Sequence, residues 1–159
     1  MMPAIVSPIH IEAIGLHNVR FFRSPLTGPR QPWHAIDDLF AAMTISRGLR
    51  RAIKADMPKS EWGKAMVQVQ TADGPLDIAA HFIAQGAIGL AQERFNLPKD
   101  FEISYTEAVA KAMKVITAGM SDLEAVNYTI AAYRNENGIE GPFNPLTEAD
   151  VIRKPLRRH

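Results

Sequence analysis

The sequence predicts an α+β fold in which small β-hairpins pack with short helices and an α-helical C-terminal annex follows. Three observations carry that prediction. Runs of β-prone residues bounded by Gly, Pro and Asp turn signals recur through the first half, at 19–22, 33–36, 66–71 and 76–79. Between and after them the apolar residues change to spacings of three and four, the period of a helix. The 159 residues are 47% hydrophobic and 22% charged, and a chain of this length buries roughly 70% of its extended surface without disulfides or a metal.

Residues 1–13 carry Pro3 and Pro8 and no helical period, so they read as an extended or poorly ordered arm. The run at 19–22, with Arg20 and Arg23 beside Phe21 and Phe22, breaks at the segment SPLTGPRQP. A strand at 33–36 resumes after it and closes a hairpin. Asp37 then offers a helix N-cap, with Leu39, Phe40 and Met43 as the apolar stripe of about two turns. Thr44, Ile45 and Ser46 form a joint, and Ser46 is a second N-cap, opening a helix over 48–55 that stops before Pro58. Two short helices around a tight turn make a helix-turn-helix pattern, which is also common in proteins that bind nothing.

The segments 66–71 and 76–79 flank Asp73-Gly74, a hairpin turn signal. A helix follows over 80–95; Gly86 and Gly89 inside it weaken it by roughly 1 kcal/mol each relative to Ala, which predicts close packing there. In the annex, Ser104 or Thr106 caps a helix running to Met120, with Val109, Met113 and Ile116 on one face. Ser121 and Glu124 form a capping box for a helix to about Arg134. Thr147 caps a last short helix, which Pro155 ends.

The absence of cysteine excludes a disulfide framework, a thiol nucleophile and thiolate metal sites. No run approaches the 18 or so apolar residues of a membrane helix, and the opening segment lacks the charged start and long apolar core of a signal peptide. The expectation is a cytoplasmic protein without a membrane partner. The formal net charge of +1 conceals a division: from Arg20 to Lys64 there are nine bases against four acids, and over 101–152 three bases against eight acids. The ending, with Arg153, Lys154, Arg157 and Arg158, is basic again.

The sharpest local feature is the segment RGLRRAIK. Arg47, Arg50, Arg51 and Lys54 fall at i, i+3, i+4 and i+7, so a helix projects all four from one face and turns Leu49 and Ile53 to the other. Uncompensated like charges at those spacings cost a few tenths of a kcal/mol per pair, and a solvated face usually interleaves acids. Ser46 and the helix start add donors for an anion. The competing interpretation is a solvated basic face salt-bridged to the acidic annex. Phe21, Phe22 and Trp33 sit near bases, as on a stacking platform, although aromatics in strands are more often core. The five histidines show no metal-ligand spacing, and the phosphate-loop, dinucleotide and nucleophile-elbow signatures are absent, so neither a catalytic residue, a metal nor a cofactor is expected. A pocket joining His34, Asp37 and His81 would reverse that.

A basic strand, PWHAIDDLFAAM, TISRGLRRAIK, VQVQTADGPLDI and a helix carrying AQG together resemble the BRO amino-terminal domain of phage antirepressor-like and viral BRO proteins, over residues 14–95. PWHAIDDL departs from that family's pattern by its His34 and Ile36, and the segment from Phe101 matches no part of it. The resemblance implies a BRO-like α+β domain at 14–95; the residues themselves set off an extended arm at 1–13 and a helical annex with a basic tail at 101–159. The resemblance also implies a non-enzymatic DNA-binding or regulatory protein of prophage or mobile-element type. Arg47, Arg50, Arg51 and Lys54 would neutralise phosphates of double-stranded DNA, with Ser46 beside them and Arg20, Arg23 and Arg30 as a second contact. Four such contacts correspond to a salt slope of about −3.6 in log K. The annex would serve homodimerisation or a protein partner. The alternative class is a protein-interaction module that titrates a partner without touching DNA, which the sequence pI of about 8.1 favours.

Overall fold

The computed structural model describes residues 4–59 and 61–150, with Trp62 described through its backbone alone. The basic ending with Arg153, Lys154, Arg157 and Arg158, and the helix stop at Pro155, lie outside the described residues. The architecture is α+β. Five strands, β1 (His10–Ile14), β2 (His17–Arg23), β3 (Pro32–Ala35), β4 (Met66–Thr71) and β5 (Gly74–Ala79), form one antiparallel sheet in the order β1-β2-β3-β5-β4. Five helices join them: α1 (Ile36–Ala42), α2 (Arg47–Asp56), α3 (His81–Arg94), α4 (Asp100–Ile116) and α5 (Asp122–Glu136).

The sheet explains its own sequence. Successive side chains on a strand face opposite ways, and on β2 Phe21 joins one core cluster while Phe22 joins the other. The larger cluster sets Val19 and Phe21 against Leu39 and Phe40 of α1, Ile83 and Ile88 of α3, and Tyr105, Ala108 and Ala112 of α4. The smaller gathers Phe22, Trp33, Ala35, Leu76, Ile78 and Ala80. Phe21, Phe22 and Trp33 are buried, so they are core and offer no stacking surface. The β2–β3 hairpin pairs Phe22 with Trp33 across the proline-rich loop, and β4 and β5 turn through Ala72 and Asp73, with Thr71 paired to Gly74, which takes φ +110.

The structure departs from the sequence expectations in four places. Residues 10–13 of the expected arm form most of β1, which pairs with β2 through a tight turn at Gly15 (φ +63) and Leu16; its apolar Ile11 and Ala13 fall on the exposed face and the polar His10 and Glu12 are the half-buried ones, so its pattern is misleading. Asp37 is not the N-cap of α1. That position is Ala35, without a side-chain bond, because the Asp37 and Asp38 carboxylates are drawn to bases on other elements. The first annex helix begins at Asp100, so neither Ser104 nor Thr106 caps it. A Cβ at Gly89 would meet nothing within 4 Å, so no close packing explains that glycine.

Other expectations match the structure. Ser46 Oγ accepts from the Leu49 amide at 3.3 Å at the start of α2. The α1–α2 joint holds Thr44 in the left-handed region at φ 57, a conformation that strains a β-branched residue. Ser121 and Glu124 form both bonds of the capping box of α5.

Candidate nucleic-acid interface

The α2 helix follows the tight joint at Thr44 and buries none of its residues. Ile53 packs against the larger core cluster, which leaves the opposite face outward. There Arg47, Arg50, Arg51 and Lys54 line, with Asp37, a shallow cleft of about 300 Å³. Among the described residues the three arginines make no ion pair. Arg50 Nε is shielded from solvent and has no hydrogen-bond partner, which leaves one donor of a cleft-lining arginine unsatisfied.

The fourth base is differently occupied. Lys54 Nζ lies 3.0 Å from Asp37 Oδ2 on α1 and 3.2 Å from Asp77 Oδ2 on β5. Burial alone would lower the ammonium pKa, but the hydrogen bonds Lys54 donates to Asp37 and Asp77, with the attraction of both carboxylates, outweigh it and the net shift is upward. Lys54 therefore fastens α2 to α1 and the sheet, and its charge is already met by two carboxylates.

The expected second contact does not assemble either. Arg20 donates from Nε to Asp38 Oδ2 at 2.8 Å and from a terminal nitrogen to Asp38 Oδ1 at 2.9 Å, while its own amide bonds Oδ2 at 3.0 Å. The hydrogen bonding that Arg20 donates to Asp38 raises its pKa against a smaller desolvation effect. The Arg30 guanidinium donates to the carbonyls of Ser24 and Leu26, both at 3.1 Å, bracing the β2–β3 loop. Arg23 is exposed, but it borders a separate cavity with Val6, Phe22 and Val69. The structure thus brings Arg47, Arg50 and Arg51 together beside the Ser46 cap and commits Lys54, Arg20 and Arg30 to other groups.

His34, Asp37 and His81 do not share a pocket. His34 is buried on β3, where its Nδ1 lies 3.5 Å from the Tyr105 hydroxyl; the same hydroxyl lies 3.3 Å from His81 Nδ1. Tyr105 stacks on His81 at 5.5 Å between ring centroids and meets His34 edge-on at 6.1 Å. Desolvation, with the charge of His81 adding to it, pushes the His34 imidazole down to about 3; burial also lowers His81 and raises the Tyr105 phenol. Asp37, meanwhile, is turned to Lys54.

Sequence reasoning missed Asp77 as a partner of Lys54, and Tyr105 between the two histidines. It also missed a cleft of about 420 Å³ between α4 and α5. Each joins residues from distant elements, and no local spacing signals them. No protein-family model matches the chain, and no curated protein or solved structure is similar to it at a significant level.

Proposed function

We propose that the chain is a DNA-binding regulatory protein that contacts phosphates through the outer face of α2. One observation carries this reading: three arginines, Arg47 and Arg51 exposed and Arg50 half-buried, share one helix face and, among the described residues, form no ion pair with an acid. Isolated clusters of this kind repel internally and gain from a polyanion that supplies the missing counter-charge. Guanidinium groups suit phosphate because their planar donors match its oxygens. The resemblance of residues 14–95 to the BRO amino-terminal domain adds the prophage or mobile-element context and nothing about individual bases.

The contact set is smaller than the sequence suggested. Lys54, Arg20 and Arg30 already bond within the fold, so three phosphate contacts correspond to a salt slope of about −2.7 in log K. Fluorescence anisotropy of labelled duplex DNA at 50 and 200 mM salt tests this, beside a variant carrying Arg47→Gln, Arg50→Gln and Arg51→Gln. Micromolar or tighter binding at 50 mM that weakens with that slope and disappears in a cooperatively melting variant supports the proposal. Absence of binding, or indifference to the triple change, removes it.

A second reading has its own observation. Val126, Ile130 and Tyr133 are exposed at i, i+4 and i+7 on α5, an apolar stripe that favours a protein-interaction module. Self-association that Ile130→Glu abolishes, in a protein that leaves DNA unbound, would select it.

A further inference from the structure

The cleft between α4 and α5 arises from how α5 is attached. Its bonds to the body of the protein are polar and directed at the β2–β3 loop. Glu136 accepts from Trp33 Nε1 at 3.0 Å and from the Gln31 amide at 3.1 Å; Asn135 donates to the carbonyls of Thr27 and Pro29; and the Tyr128 hydroxyl accepts from the Arg30 amide. Only Ala132 of this helix is buried. The helix is therefore tethered to the loop while a gap of about 420 Å³ stays open against α4.

The walls of that gap are predominantly apolar, with Val109, Ala110 and Met113 on α4 facing Ala125 and Val126 on α5. Of the three threonines in the lining, Thr106, Thr117 and Thr129, the last two are apolar in effect. Thr117 donates its hydroxyl to the Met113 carbonyl, and Thr129 to that of Ala125, so their methyl groups are what remains to contact a ligand. No acid lines the cleft, and its one full charge is Lys114, which makes no ion pair among the described residues. His81 borders the other part of the lining, with Nδ1 turned to Tyr105.

We propose that this cleft binds a small amphiphilic carboxylate, its apolar body between Val109, Met113 and Val126 and its anionic head on Lys114. The volume falls within the range of small-molecule sites, which combine apolar walls with a few polar groups that orient the ligand. Charge complementarity selects the head group: a cation or a zwitterion would meet Lys114 with no carboxylate in the lining to offset it. The proposal is independent of the DNA reading, since Lys114 and α5 belong to neither the α2 cleft nor its ion pairs.

The test uses the full chain with three probes of equal chain length, octanoate, octanamide and octylammonium, by calorimetry and by amide shifts in nuclear magnetic resonance. Octanoate should saturate one site, with shifts concentrated at 106–117 and 125–129. Octanamide should bind about tenfold more weakly, the loss of one charge-assisted bond, and octylammonium more weakly again. Lys114→Gln should reduce octanoate to the level of octanamide, and Ala110→Phe, at an exposed lining position, should remove binding of all three. Lys114→Gln alters one exposed side chain and keeps the test decisive even if Ala110→Phe fails to fold. Equal affinity for octylammonium, shifts elsewhere in the protein, or no effect of Lys114→Gln would overturn the proposal. So would a dimer that Ala110→Phe dissociates, which would assign the cleft to a second copy of the chain.

Discussion

Arg20 and Asp38 form a two-point bond, 2.8 Å from Nε to Oδ2 and 2.9 Å from a terminal nitrogen to Oδ1, that ties β2 to the first turn of α1. The acid stands where a helix start favours negative charge, yet it is used sideways, as a clamp on the neighbouring strand. Asp38→Asn should lower stability by about 1–2 kcal/mol, the range for a partly exposed charge-assisted pair, as read by urea denaturation. DNA affinity should stay unchanged; a loss of affinity at unchanged stability would return Arg20 to the binding surface.

Lys54 bridges Asp37 and Asp77, and its removal leaves two carboxylates without their shared cation. Lys54→Met should cost about 1 kcal/mol or less, the scale of a partly exposed ion pair. Its effect on DNA binding should be well below that of Arg50→Gln at equal salt. An equal loss for the two changes, in proteins of equal stability, would mean that the ammonium leaves its carboxylates for phosphate.

His34 is buried neutral, with its pKa pushed from an ordinary 6.5 down to about 3 by desolvation and by His81. The unfolded chain therefore binds more protons than the native one between those values. Stability is intact above about pH 6.5 and falls as the pH drops through the window, by up to about 1.4 kcal/mol per unit for this group. His81, also lowered, adds to the loss. Glu136, raised by burial against the hydrogen bonds it accepts, acts oppositely: its contribution is full below the unfolded carboxylate value and fades as the pH rises through its folded one. Urea titrations from pH 7 to pH 4 should show the decline, and His34→Gln should flatten it. A slope unchanged by that substitution would place the titrating group elsewhere.

Glu136 accepts from both the Trp33 indole N–H and the Gln31 amide. Glu136→Ala strands both donors, at a cost of about 1–3 kcal/mol for each one that stays buried. In a Trp62→Phe background, the emission of Trp33 should shift to the red and proteolysis should open the α5 segment first. Unaltered emission would show that the smaller core cluster holds Trp33 without the carboxylate.

The elements most legible in the sequence were those whose information is local. Asp73-Gly74 marks its hairpin, Ser46 marks the start of α2, and the Ser121–Glu124 box marks α5, because a turn conformation or an orphan amide is satisfied within a few residues. What was not legible depends on residues far apart in sequence. Asp37 and Asp38 look like capping acids until Lys54 and Arg20, on other elements, take their carboxylates. The basic stripe on α2 was visible as a period of charges, but which of its members remain without acids is set by where β5 places Asp77. The strand β1 was hidden because its partner and α4, not its own pattern, stabilise it.

The absence of any buried residue on α2 also bears on how the protein moves. Elements with little buried apolar surface open at free energies below global unfolding, so the amides of α2 should exchange with deuterated solvent faster than those of β2 or α3. A helix that opens locally while the sheet stays closed contributes its own ordering entropy to any association. Occupation of its arginine face would then register first as slowed exchange along α2, before any change in the shape of the rest of the molecule.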